Sequence, residues 1–436
     1  MHFIYVVVSY VIFGLALPFL IFHRKLRQGI RRRFGLYTRS PWPKPHTEGK
    51  KIWFHGASAG DLIALRPTIE HIRYKDPDAV IVISTMTNSG YEIAKTKFNN
   101  LVDGITFVPY DFFGSAQRAV KKIQPDVLVL EYAEIWPNLV YAAAKRGTQI
   151  VLTNGRFSES LMFRYQWLYR LIGNPLRRMT MLLMRDEEEK SRALRLGAPP
   201  ERVRVTGNTK FDNLSHGPKP EVVEKIERDL RLGERPVFVA GSTHEGEEEH
   251  VLSAFLSMRE VEPRLLCMIV PRYVDRASRI MSLVKERDLK TELRSKLSAK
   301  RTASTDHLDV VVGDTMGELN ALYHLSTFAF VGGSFGSRGG QNILEPAGHG
   351  RPVLFGPNMK NFRDSVHVLQ GRGGIQVSDA NHLGSVGCEL LSKASERERL
   401  GALAKESVVR VRGASEKNAQ LILDLLNLAK TSPRHQ

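Results

Sequence analysis

Only two cysteines occur among the 436 residues, Cys267 and Cys388. One pair excludes a disulfide-stapled scaffold and cannot alone build a Cys-rich zinc site. The 14 histidines are scattered without an HExxH pair, so no metal-ligand spacing is present. Asp76-Pro-Asp78 is formally a DxD pair, but it falls in a helix-to-strand turn. GxGxxG, a P-loop and a GxSxG elbow are also missing, which removes the usual signatures of dinucleotide binding, P-loop phosphoryl transfer and α/β-hydrolase chemistry. Neither an RNP sequence nor a helix-turn-helix is found, so no nucleic-acid partner is expected. Acidic residues are the scarce sign, 46 against 63 basic ones, which leaves +17. Such a surplus fits anionic company: a bilayer surface or phosphorylated substrates.

Charge is absent altogether from Phe3 to Phe22. Twenty residues at ~1.5 Å each give roughly 30 Å of helix, about the thickness of a bilayer's hydrocarbon core. Pro18 falls near one end, where a membrane helix tolerates it. Arg24, Lys25, Arg27, Arg31, Arg32 and Arg33 follow. The positive-inside rule places them, and everything after them, on the cytoplasmic side. A cleaved signal peptide would instead carry its positive charge before the apolar run. One N-terminal transmembrane helix over about 3–22 is therefore expected, inside an anchor and basic juxtamembrane segment spanning 1–35.

With 42% apolar residues the remainder is long enough for two globular domains. From Lys51 short apolar runs alternate with amphipathic stretches. Lys51–His55, Val80–Ser84, Gly104–Pro109, Val127–Leu130 and Gln149–Thr153 read as buried strands, with Leu62–Tyr74, Gly90–Phe98, Ser115–Ile123 and Asn138–Arg146 as helices between them. The pattern lapses near Gly217, Pro218 and Pro220, then resumes at Val237–Ala240, Leu265–Val270, Val310–Val312, Phe328–Gly332 and Pro352–Leu354. The expected fold class is α/β, with two Rossmann-like αβα domains facing across a cleft: 45–213, a linker over 214–235, and 236–430 including closing helices. Ligands of such sheets lie at the carboxyl ends of the strands.

Candidate chemistry clusters at those strand ends. His55-Gly-Ala-Ser58-Ala-Gly60-Asp61 opens a helix with small residues, suited to an anion at a helix amino terminus. Asp61 reads either as a helix-capping charge or as a general base. Glu131 and Glu134 follow the strand ending at Leu130, as cleft carboxylates or as caps of the helix begun near Pro137. Lys210, in Thr206–Asp212, points into the cleft or is solvated surface. In the second half, the acidic run Glu245–Glu249 complements a helix dipole, while the Gly241-Ser242 turn suits close phosphate approach. Pro271-Arg272 ends a strand with a guanidinium suited to bidentate phosphate contact. The glycine-rich run from Gly332 to Pro346 reads as a phosphate cradle, with Glu345 taking ribose hydroxyls.

Taken together, HGASAGD, TMTNSGYE, PYD, EIWPN, NGRFSE, GNTKFD, GSTHEGEEE, GDTMGEL, GGSFGSRGGQNILEP and GPNMKNFRD resemble the 3-deoxy-D-manno-octulosonic acid (Kdo) transferases of lipopolysaccharide synthesis, glycosyltransferase family 30. The resemblance runs nearly end to end. It implies a GT-B fold and an inverting transfer of Kdo from CMP-Kdo to a lipid A precursor, lipid IVA, at the cytoplasmic face of the inner membrane, with no metal or other cofactor. Asp61 then takes the proton acceptor's place, with Ser58 and Gly60 on the acceptor side, and Lys210 and Glu134 join it as catalytic residues. Ser242, Pro271, Arg272, Met316, Gly317, Glu318, Asn342, Ile343, Leu344 and Glu345 fall on the CMP-sugar site.

Two departures from the family pattern matter. The family usually has Glu where this chain has Asp61, and Glu-Thr-Glu where it has Tyr132-Ala133-Glu134. A transition-state carboxylate is thereby replaced by Tyr132. Glu131, one residue earlier, is expected to point to the other side of its strand and not to replace it. The departures leave open a relative that uses another CMP-activated ulosonic acid or another lipid acceptor, or a silent binding homologue.

Overall fold

The computed structural model describes residues 2–22, 28–37, 50–213, 217–297 and 308–428, so Arg24, Lys25 and Arg27 of the expected basic cluster lie outside the described residues. Contacts divide the chain into two units: Met1–Asn213 with Arg412–Gln436, and Leu214–Val411.

The first unit is a seven-stranded parallel sheet of order β3-β2-β1-β4-β5-β6-β7, formed by β1 Lys51–His55, β2 Val80–Thr85, β3 Gly104–Phe107, β4 Val127–Glu131, β5 Gln149–Gly155, β6 Met181–Met184 and β7 Val203–Val205. Both faces are covered, which is why these strands read as continuous apolar runs and not as alternation. Trp53, Leu128, Leu130, Ile150 and Leu152 face one core. Ile52, Phe54, Val127, Val129 and Val151 face the other, where Ile422 and Leu426 of the helix Ala414–Leu428 join them. The expected extension of the second domain to residue 430 is therefore corrected. The carboxylate of Asp212 fixes that return by accepting from the amides of Gly413 and Ser415, both at 2.6 Å.

The charge-free N-terminal run does form a helix, His2–Phe22. Yet among the described residues no helix is long and apolar enough to cross a membrane, so the expected transmembrane span is not supported. One face of this helix is committed to protein. Tyr5 donates its hydroxyl to the buried Asp111 at 2.8 Å, Ser9 is buried, and Phe13 packs on Tyr110 and Phe112. Phe3, Val7, Val11 and Leu15, spaced i, i+4, are exposed on the opposite side.

The second unit repeats the architecture: β8 Val237–Thr243, β9 Leu266–Pro271, β10 Thr291–Leu293, β11 Val310–Val312, β12 Phe328–Val331, β13 Val353–Phe355 and β14 Gly374–Gln376, in the parallel order β10-β11-β9-β8-β12-β13-β14. The expected linker is largely the helix Pro220–Leu230, whose Ile226 and Leu230 are buried. That helix belongs to the second unit. In both sheets the strand order reverses once, between β1 and β4 and between β8 and β12. Such a reversal opens a crevice at the carboxyl ends of the strands.

Ile422 is fully buried. Ile422→Ala should cost about 2–5 kcal/mol in urea unfolding; a loss below about 1 kcal/mol would contradict the docked C-terminal helix. Burial raises the Asp111 carboxyl to about 6 from an ordinary 3.8, against the amides of Asn138 and Leu139 and the Tyr5 hydroxyl, which favour the ion. The contribution of this group to stability is thus fully present below about pH 3.8 and lost as pH rises through about 6. Thermal melts of Asp111→Asn should lack that decline between pH 4 and 6 relative to the native chain.

Candidate active site

The turn after β1 is held by a reciprocal cap. Ser58 Oγ accepts the amide of Asp61 at 3.3 Å, while Asp61 Oδ2 accepts the amide of Ser58 at 2.9 Å. Ser58 is thus the N-cap of the helix Ala59–Lys75, and Asp61, at its third position, closes the capping box and stays half-exposed at the switch point. The capping role does not consume the group: one oxygen is held and the carboxylate is fixed in direction. Gly60 is exposed beside it. At the floor, His55 places Nδ1 3.1 Å from the Ser84 carbonyl, and its Nε2 lies 3.3 Å from the Trp136 indole N–H. Since the indole only donates, Nε2 accepts and Nδ1–H donates. The 3.8 Å approach of Glu134 to Nε2 is then a polar neighbour and not an ion pair.

The ends of β4 and β5 do not continue as strand. Tyr132 and Asn154 both adopt left-handed backbone, at φ 57° and 50°. Glu131 itself remains a β4 residue, paired in register with Thr153. Its carboxyl group is fully buried, accepts from Thr153 Oγ1 at 2.6 Å and from the Asn154 amide, and lies in the electrostatic reach of both Asp61 and Lys210. Burial pushes it up to about 8, the two hydrogen bonds oppose that rise, Asp61 adds to it and Lys210 opposes it. Asn154 also accepts the amide of Thr209 at 2.9 Å, and Thr209 Oγ1 donates to the carbonyl of Ala64 at 2.8 Å. Lys210 follows directly. It is exposed, with Nζ 5.4 Å from the centre of the Tyr132 ring, and Arg156 sits at the same distance. The Tyr132 hydroxyl is buried without a hydrogen-bond partner among the described residues.

In the second unit the acidic run does more than complement a dipole. Glu247, buried, accepts four backbone amides: His244 at 2.9 Å, Gly333 at 2.6 Å, Ser334 at 2.9 Å and Phe335 at 2.9 Å. The glycine-rich loop therefore spends three of its amides on this carboxylate, which corrects its reading as a phosphate cradle at those positions. Glu248 is buried on Arg276 in a two-point pair at 2.9 and 3.2 Å. The sequence signal for both was present, a carboxylate run longer than a helix cap needs.

The expected CMP-sugar residues are spread over neighbouring strand ends. Ser242 terminates β8 with φ 55°, and Gly241 before it has no room for a Cβ, which would lie 2.0 Å from the Tyr323 hydroxyl. Arg272 is exposed just past β9, behind the buried Pro271. After β11, Met316 is almost fully exposed, Gly317 turns at φ 85°, and Glu318 is held by Thr315 and by the buried Arg294 at 3.2 Å. After β12, Asn342 donates to Glu345 at 3.2 Å and receives the Leu344 amide at 3.2 Å, and burial raises the Glu345 carboxyl. Ile343 and Leu344 are core side chains, so only their backbone is available to a ligand. Among the described residues no three His, Cys, Asp or Glu side chains gather as a metal site.

Truncation at Glu247 tests the loop. Glu247→Ala strands four amides, each costing about 1–3 kcal/mol when buried and unpaired. Urea unfolding should lose at least about 3 kcal/mol, with loss of CMP binding; stability within about 1 kcal/mol of the native chain would contradict the role.

A family model described as 3-Deoxy-D-manno-octulosonic-acid transferase (kdotransferase) matches residues 28–213. The 3-deoxy-D-manno-octulosonic acid transferase of Haemophilus influenzae is 31% identical over 406 residues, covering 92% of this chain and 91% of that protein. The transferase of the same name from Chlamydophila psittaci is 29% identical, over 88% and 87%. In fold, a glycosyltransferase from Rickettsia africae superposes with a TM-score of 0.54 at 14% identity, over 88% of this chain and all of the other. Two parallel-sheet α/β units of this kind resemble the GT-B glycosyltransferases. The chain belongs to the 3-deoxy-D-manno-octulosonic acid transferase family.

Proposed function

We propose that the chain moves Kdo from CMP-Kdo to the lipid A precursor lipid IVA in a single inverting displacement. The observation that carries this reading is the convergence of Asp61, Glu131 and Lys210 at the strand ends of the first unit, within electrostatic reach of one another. Asp61 takes the proton of the acceptor hydroxyl as that oxygen bonds to the anomeric carbon. The bond from that carbon to the phosphate oxygen breaks, and CMP leaves with the electron pair. Asp61 is already aimed by its cap, so little ordering is needed at the moment of attack. Lys210 is the positive charge of the first unit's site, and Arg272 is the positive charge offered to the CMP phosphate by the second unit. Ser58 and Gly60 border the acceptor, with Glu134 beside His55. Ser242, Met316-Gly317-Glu318 and Asn342–Glu345 hold the CMP-sugar in the second unit. The unpartnered Tyr132 hydroxyl gives a bound sugar one buried group to satisfy.

Asp is one methylene shorter than the family's usual Glu, and a misplacement of ~1 Å can cost ~10²-fold in rate. The site therefore has to be closed around the shorter acid, which the buried packing of β4 and β5 beneath it favours. Asp61→Asn keeps an acceptor for the Ser58 amide and removes the base. It should abolish transfer while calorimetry finds CMP binding unchanged; normal turnover would remove the base assignment.

Membrane contact is proposed through a helix lying in the surface, in place of a span. The exposed apolar face at Phe3, Val7, Val11 and Leu15, with exposed Arg31 and Arg32 following, has the composition of an interfacial anchor. Flotation with phosphatidylethanolamine–phosphatidylglycerol vesicles should carry the native chain, and the double variant Val11→Glu/Leu15→Glu should stay in the dense fraction. Equal flotation of both would contradict this seating.

A further inference from the structure

We infer that Glu131 is a positioning residue for transfer, one that holds the backbone segment of Lys210 through Asn154 and Thr209. The inference rests on the proposed roles of Asp61 and Lys210. Three observations carry it. First, Glu131 is completely buried at a sheet end whose neighbours Leu128, Val129 and Leu130 are all apolar core. A carboxyl group there costs several kcal/mol unless its partners compensate, and an apolar side chain would fill the place without that cost. Second, one of its two hydrogen-bond partners leads toward the reacting groups. Asn154 bridges Glu131 to both the hydroxyl and the amide of Thr209. Thr209 precedes Lys210 and is tied to Ala64, one turn along the helix that Asp61 helps to cap. Third, Tyr132 and Asn154, two non-glycine residues on adjacent strand ends, both hold left-handed backbone. Each such residue costs of order 1 kcal/mol or more and persists where the surroundings demand it. Beside these turns the Asn154 side chain reaches both Glu131 and Thr209, the residue before Lys210.

The charged and titratable groups facing Glu131 are Asp61 from the helix after β1, Lys210 from the turn after β7, and Tyr132 on its own strand end. Because burial raises its carboxyl to about 8, Glu131 is mostly neutral near pH 7 and sits beside Asp61 without opposing that residue's negative charge.

The test uses the full chain with Glu131→Gln and Asn154→Ala, the second breaking the link and leaving the carboxyl group. Two readouts are taken: steady-state transfer from CMP-Kdo to lipid IVA, and the NMR titration of Lys210 after reductive ¹³C-methylation, its signal assigned with Lys210→Arg. Both variants should lose about tenfold or more in kcat, with KM for CMP-Kdo within twofold, and both should shift the Lys210 titration. A merely structural role lowers the melting temperature and leaves the Lys210 signal where it was. An unmoved signal, or kcat within twofold of the native chain, overturns the inference. If the native chain transfers nothing from CMP-Kdo, the proposed reaction fails separately, and the Lys210 signal alone decides whether Glu131 positions it. Should Glu131→Gln not fold, Asn154→Ala decides.

Discussion

The first unit depends on a buried knot of side chains where two parallel strands stop being strands. The residue after β4, Tyr132, and the last but one of β5, Asn154, are both left-handed. Glu131, Thr153, Asn154 and Thr209 close on one another beneath that bend. The knot reaches Ala64 on one side and the backbone of Lys210 on the other. The same segment is pinned from behind by Asp212, which caps the returning C-terminal helix. The backbone of Lys210, whose side chain is exposed, is thereby tied to the helix that Asp61 helps to cap.

The second unit solves a related problem with one carboxylate. Glu247 gathers the turn after β8 and the loop after β12, the two strand ends that flank the reversal of strand order. Its four amide bonds make the glycines of that loop a matter of close backbone approach. A Cβ on Gly332 would meet Thr243 Cα at 2.6 Å. Ser242, Arg272, Glu318 and the Asn342–Glu345 turn, proposed for the donor, are not among the partners of Glu247.

Much of this was legible in the sequence, and the misses have physical causes. The long buried strands β1, β2 and β4 read directly, because a sheet covered on both faces needs continuous apolar runs. β6 and β7 escaped notice: Met181–Met184 lacks the branched residues that mark a strand, and Val203–Val205 is too short for a period. The N-terminal run looked like a span because it holds no charge. Tyr5, Ser9 and Phe13, spaced four apart, were the signal of a helix with one face committed to protein. Strand alternation does not disclose the partners of Glu131, Thr153 and Asn154, which meet it through the pairing of β4 with β5. Of the two readings of Asp61, the capping one is seen directly in its bond from the Ser58 amide.

The account stands or falls on the product. After the purified chain is incubated with CMP-Kdo and lipid IVA, mass spectrometry should find the acceptor heavier by whole Kdo residues, with CMP released in equal amount. An acceptor of unchanged mass beside intact CMP-Kdo, while another CMP-activated sugar is consumed, would contradict it.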